Sequence, residues 1–161
     1  MQFLRDSVRQ STYRWPLAVL RILSGHMWAR TSFFWIRAED RAASLTNQIT
    51  PLLESGRPTS WYQPFLEHIV LPNSEIFAAL VTAGEAFVAV SLLLGAATRL
   101  GAAVSMWLAL NYSLLYGQSF LIPSGNTIYF WVGFLFLVMA AGRAFGVDYW
   151  LHRRWPSVPL W

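Results

Sequence analysis

Ser74-Glu-Ile-Phe-Ala-Ala-Leu-Val-Thr-Ala-Gly-Glu-Ala-Phe-Val-Ala-Val-Ser-Leu-Leu-Leu-Gly-Ala-Ala-Thr-Arg99 decides how this chain is read. Between Ile76 and Thr98 the one charged residue is Glu85, near the centre of the run. An apolar stretch of about 20 residues is long enough to span a bilayer. A carboxyl at mid-depth costs roughly 2.5–3.5 kcal/mol on insertion scales. A partner or a bound proton must offset that cost, so the question is what Glu85 meets.

Composition supports a membrane class. Of 161 residues, 55% are apolar and 12% charged, against about a quarter charged in a soluble domain. A single membrane domain over 1–161 is expected. There is no cysteine, which removes disulfides and thiolate metal or redox sites from the chain itself. The net charge is +4 and every basic residue is Arg. The arginines gather at the edges of apolar runs rather than in an aromatic-interleaved stripe, which points to a lipid surface and away from nucleic acid.

Outward from the opening stretch, the chain divides into apolar runs. Trp15 to Ile36 is a first span, with Arg21, His26 and Arg30 inside it. The basic n-region before it resembles a signal, but Arg21 interrupts the run and no small-x-small site follows, so it reads as uncleaved. Residues 37–74 are too polar to cross. Ala42, Leu45, Ile49, Leu52 and Leu53 recur at helical spacing, so 39–55 is predicted to be an amphipathic helix kinked or shortened at Pro51. A short helix over 61–70 follows, with Trp61, Phe65 and Ile69 on one side. Ser74 is the expected N-cap of the second span, about 75–94. Gly95 to Arg99 is a tight turn into a third span, about 100–117. Polar residues and Pro123 separate that from a fourth, about 127–145.

The fold expected is therefore all-α, an integral membrane four-helix bundle with an amphipathic helical segment between the first and second spans. Arg5, Arg9, Arg14, Arg99, Arg143, Arg153 and Arg154 fall on one side. The positive-inside rule places that side, with both termini, in the cytoplasm. The localisation expected is the inner (cytoplasmic) membrane of a bacterium or archaeon.

Depth counting at about 1.5 Å per residue brings polar residues together. Glu85 is eleventh in its span, while His26 and Asn111 are twelfth in theirs. Arg21 lies a turn nearer the cytoplasm, within reach of a long side chain. Arg21, His26, Asn111 and Tyr112 thus form a candidate polar cluster around Glu85, the candidate catalytic proton carrier. Tyr112 and Trp107 would supply an aromatic wall for a quinone-like ring. The competing reading is polar glue, in which an Arg–Glu pair and Asn111 fasten helices that approach closely at Ala79, Ala83, Gly84 and Ala86. His26, His68 and His152 sit at three depths, so no shared metal or haem site is expected.

Several blocks resemble one family. Trp61-Tyr62-x-x-Phe65-Leu66-Glu67, Leu71-Pro72-Asn73-x-x-Ile76-Phe77, Gly84-Glu85, Leu94-Gly95-x-x-Thr98-Arg99, Asn111-Tyr112 and Gly142-Arg143-x-x-Gly146-x-Asp148-x-x-Leu151 occur in that order. Together they resemble the DoxX/DoxD-like membrane proteins, over about 21–154. The resemblance implies a four-helix membrane bundle and marks Arg99, Arg143 and Asp148 as motif residues. DoxD is the small subunit of a thiosulfate:quinone oxidoreductase. The resemblance therefore implies a membrane subunit of a quinone-linked redox complex, respiratory or sulfur-oxidising, with quinone as a non-covalent ligand and other membrane subunits as partners. The alternative is a non-catalytic accessory subunit that stabilises a larger electron-transfer or photosynthetic complex, with 37–74 as docking surface. The family tends to carry a Gly followed by a Lys late in the first span. Here the bulkier Gly25-His26-Met27-Trp28-Ala29-Arg30 stands there, which counts against a ligand pocket on the first helix.

Overall fold

The computed structural model describes residues 14–121, 125–158 and 160, and these are helical without strands. The basic arm Met1–Tyr13 lies outside the described residues. Helix α1 is Arg14–Arg37 and α2 is Arg41–Glu54. A short turn α3, Gln63–Phe65, runs through a π-helical turn (Leu66–Val70) and a 3-10 turn (Leu71–Asn73) into α4, Ser74–Leu94. Then come α5 (Thr98–Leu115), α6 (Asn126–Met139), a 3-10 turn (Ala141–Arg143) and α7 (Asp148–Arg154).

Local chemistry explains most of the boundaries. The Asp40 side chain accepts from the Ala43 N–H at 2.9 Å and starts α2, satisfying an amide that has no partner within the helix. Pro51 does not stop α2, which runs on to Glu54. Ser74 does not cap α4. The chain reaches it already coiled from Gln63, so its amide needs no side-chain acceptor. Gly95, at φ +65°, ends α4 in the left-handed region that glycine adopts without strain. Helix α6 stops at Met139, short of the 127–145 expected, because Ala140 turns left-handed and Ala141–Arg143 tightens into 3-10 geometry.

Neighbouring long helices run antiparallel. Gly25 of α1 lies so close to α4 that a Cβ there would come within 2.9 Å of the Leu93 nitrogen. At the other end of the same pair, Thr31 and Trp35 stand beside Glu85. Gly84 of α4 faces Leu108 of α5, and Gly133 of α6 faces Ser105 and Met106 of α5. Trp28 and Tyr129, centroids 6.0 Å apart and edge to face, bring α1 to α6.

Two apolar clusters fill the interior. One gathers Trp28, Val88, Leu92, Leu108 and Phe136. The other gathers Trp35, Leu45, Ile49, Leu66, Val70 and Leu115. The 37–74 segment thus puts its apolar stripe into the core instead of offering it for docking. Its second half is also turned by one residue from the expected face. Tyr62, Leu66 and Val70 are buried, while Trp61 and Ile69 are exposed.

Beside these apolar clusters, charge lies inside the fold and large apolar side chains stand outside it. Arg21, Glu85 and Asp148 are each 1% exposed. Ile22, Phe34, Leu80, Val90, Trp107 and Val138 stand on the outer faces of α1, α4, α5 and α6. Charged residues are almost never fully buried unless paired, and large contiguous apolar surface marks an interaction site. By length and composition, one helical stretch among the described residues, Gln63–Leu94, is clearly able to cross a bilayer, and Asn126–Met139 is a shorter apolar helix. No other helix among the described residues meets that standard. Arg21, His26 and Arg30 lower the hydropathy of α1.

The end of the molecule carrying α7 is tied by Asp148. Its Oδ1 accepts from the Ala97 N–H at 2.7 Å and its Oδ2 from the Thr98 N–H at 2.9 Å. The carboxylate thereby satisfies amides at the start of α5, where the helix dipole favours negative charge. Arg21 donates from Nη2 to the Ala144 carbonyl at 3.2 Å. Its guanidinium feels the Asp148 charge and packs against Gly95 and Gly146. Asp148→Ala leaves the Ala97 and Thr98 amides without their acceptor and the buried Arg21 guanidinium without the negative charge beside it. The expected loss of stability is about 3–5 kcal/mol, as for other broken buried ionic contacts. Thermal unfolding in detergent measures it. Gly142→Ala should destabilise as well, since a Cβ there overlaps the Asp148 carboxylate and the Thr98 hydroxyl.

Candidate functional site

Glu85 is placed by α4 at the floor of a cavity of about 310 Å³. Tyr112, on the facing side of α5, donates its phenol to Glu85 Oε1 at 2.6 Å. That length is typical of a charge-assisted O–H···O bond. Oε2 is buried and has no hydrogen-bond partner among the described residues. Thr31 and Trp35 stand close enough to act on the carboxyl, but the Thr31 hydroxyl donates to the Trp28 carbonyl at 3.0 Å. One carboxyl oxygen is thus held by a hydrogen bond; the other makes none among the described residues and is packed in beside Trp35, while the residue lines the cavity.

The walls are aromatic. Helix α1 contributes Met27, Trp28, Thr31, Phe34 and Trp35, α5 and its C-cap contribute Tyr112 and Tyr116, and α6 contributes Asn126 and Tyr129. Gln48 of α2 closes the remaining side, its Nε2 at 3.5 Å from the Tyr116 hydroxyl. A pocket of roughly 300 Å³ suits a small ring. Flat aromatic walls and two lining residues with an unsatisfied oxygen, Glu85 and Gln48, suit a ring carrying oxygen substituents.

The expected cluster is only partly assembled. Tyr112 meets Glu85 as anticipated. Arg21 does not; it turns towards the opposite end of α1, to Ala144 and Asp148. His26 is exposed on the outer face of α1. Asn111 also points elsewhere. Its Oδ1 accepts from the Tyr62 hydroxyl at 2.7 Å and its Nδ2 donates to the Trp107 carbonyl at 2.7 Å. Equal depth does not mean equal azimuth, and successive helical residues are 100° apart. Trp107 is 65% exposed and takes no part in the wall. The first helix, judged too bulky for a pocket, supplies the largest share of it, because Gly25 lets its backbone close on α4 while its aromatics spread beyond.

Trp35, Thr31 and Gln48 were missed. A helical stripe at 27, 31, 34 and 35 was available in the sequence, but Gln48 lies on a separate amphipathic helix whose docking no local pattern announces. Of the family-motif residues, Asp148 belongs to the clasp at the α5 start. Arg99 and Arg143, neither of which lines the cavity, are held within the fold.

Asn111 instead anchors the 37–74 segment. Beside its bond to Tyr62, the Thr59 N–H donates to the Leu114 carbonyl at 3.0 Å. Tyr62 lies outside the stretch 63–94, and burial pushes its phenol from near 10 up to about 12. The neutral phenol is favoured in the folded chain. Its contribution is therefore whole below about pH 10 and is lost as pH rises towards about 12. Tyr62→Phe should remove this alkaline dependence and cost about 1 kcal/mol at neutral pH. Unfolding followed across alkaline pH in both proteins checks it.

Comparison with known proteins agrees with the motif blocks. Neither curated proteins nor solved structures provide a match. The family model described as "TQO small subunit DoxD", where TQO is thiosulfate:quinone oxidoreductase, matches residues 17–160. That range takes in α1 through α7 and every residue of the cavity, and the chain belongs to the DoxD family.

Proposed function

We propose that this protein is a membrane subunit of a quinone-linked oxidoreductase and that the Glu85 cavity receives the quinone head group. In this reading α1, α4, α5 and α6 form a four-helix bundle in lipid. The exposed large apolar side chains support it, since the outer faces of all four helices would meet acyl chains. Both termini would be cytoplasmic, with 37–74 on the opposite side.

The observation that carries the proposal is a buried carboxyl, Glu85, that lines an aromatic cavity and has one oxygen, Oε2, outside any hydrogen bond among the described residues. When bound, a quinone supplies two-electron chemistry, taking up two electrons and two protons to become the quinol. Glu85 holds one of those protons at Oε2, while Tyr112 fixes the carboxyl by its bond to Oε1. In the protonated state Oε2–H can donate to a ring carbonyl, and in the ionised state Oε2 can accept from a ring hydroxyl. The electron pair would come from a donor on a partner subunit, as this chain has no cysteine to hold a thiolate-ligated cluster. Aromatic walls exclude water around the exchange. The polar-glue reading accounts for Oε1 but leaves Oε2 buried at a cost of about 1–3 kcal/mol with nothing gained.

Glu85→Gln keeps the shape and the bond from Tyr112 but cannot carry the proton. Quinone reduction in native membranes should fall on the order of 10²-fold, the usual worth of a positioned acid–base group, with normal assembly of the subunit. Unchanged turnover contradicts the role.

A further inference from the structure

The cavity has two edges of different character. Its α2 edge is covered: Leu45 and Ile49 are buried in the second apolar cluster, and Gln48 beside them reaches Tyr116. The segment leading from α2 is pinned to α5 by the Thr59 and Tyr62 bonds. The other edge lies between α1 and α6. Those helices do not pack along their lengths, and Trp28 against Tyr129 is where their side chains meet. Beyond that pair, Met27, Thr31 and Phe34 recur at i, i+4 and i+7 on α1. All three are exposed, yet all three line the cavity. Side chains that do both mark the outer edge of the cavity, where it comes nearest the surface. Facing them across the seam are Asn126 and Tyr129 of α6.

We infer that the Glu85 cavity is filled sideways, through the seam between α1 and α6, by a lipid-borne ring whose apolar tail leaves over Met27 and Phe34. The inference rests on the quinone reading and adds the route and the ligand class. Met27 and Phe34, 40% and 62% exposed, belong to the same outer apolar face as Val19, Ile22 and Leu23, so the mouth opens onto the acyl chains. A ring bound with its oxygen at Glu85 Oε2 would lie between Trp28 and Trp35, and its substituent would point out along the seam. A small hydrophilic anion fits neither the route nor the floor, where the group without a hydrogen bond is a carboxyl oxygen. The cavity would then hold the lipophilic reactant alone, and the water-soluble one would react on a partner subunit.

The test uses the full chain in native membranes and two photoreactive isoprenoid benzoquinones, one with an azide on the ring and one with a diazirine early in the tail. The ring probe should mark peptides containing Trp35 or Tyr112. The tail probe should mark Met27, Phe34 or Tyr129. Met27→Trp, which narrows the mouth on an outer helix face, should cut tail labelling roughly fivefold, the factor that about 1 kcal/mol of crowding produces. Ring labelling with the tail probe's mark on Gln48 or Tyr116 overturns the lateral route alone. Unchanged labelling in a folded Met27→Trp protein overturns it too. If neither probe marks this chain, the quinone reading falls, and the route with it.

Discussion

A carboxyl buried among helices has to be satisfied there, and the arrangement of this chain follows from how it treats two of them. Asp148 is fully engaged. Both oxygens accept amides at the start of α5, and Arg21 sits within range of the charge. Such a group locks one end of the fold: the turn after α4, the start of α5 and the approach to α7 cannot move independently. Glu85 is half engaged. Tyr112 holds one oxygen, and the second, on a residue that lines the cavity, has no hydrogen bond among the described residues. The proposed function rests on that contrast. A fully paired buried charge is explained by the fold, whereas a half-paired one asks for a ligand or a proton.

The same economy shapes the surface. Apolar side chains cover the outside of α1, α4, α5 and α6, while Arg21, Glu85, Asp148 and buried serines and threonines lie within. In lipid, helices associate through close packing and interhelical polar contacts rather than hydrophobic burial. Gly25 against Leu93 and Gly133 against Ser105 are contacts of that kind. Helix α2 adds a covering layer over the end where Gln48 and Tyr116 meet. The seam between α1 and α6 is left looser than the others, and the cavity lies beside it.

Much of the fold was legible in the sequence, because apolar runs, Gly95 and the polar break after Gly117 report on local geometry. The long helices fall within a few residues of expectation, except that α6 ends early at a left-handed Ala140. The site was less legible. Glu85 stood out by charge and Tyr112 by its place in a motif block. Arg21 and His26 were grouped with Glu85 by depth alone, but a helix has an azimuth as well as a height. His26 faces outward, and Arg21 reaches a partner more than 120 residues away in sequence, at Ala144. Gln48 could not be placed, since its position depends on how an amphipathic helix docks on two others. The face of 61–70 was misread by one residue because Trp61, Phe65 and Ile69 and the buried Tyr62, Leu66 and Val70 share the same four-residue spacing, and spacing alone does not choose between two adjacent apolar stripes.

The central claim is that Glu85 Oε2 is the group a quinone ring meets. Isotope-edited infrared difference spectra of the protein in lipid nanodiscs, with and without a tailed benzoquinone, test it most directly. A carboxyl band should shift on quinone addition in the wild-type chain, and the shift should be absent from Glu85→Gln. Identical carboxyl spectra with and without quinone, in protein shown to be folded, would contradict the account.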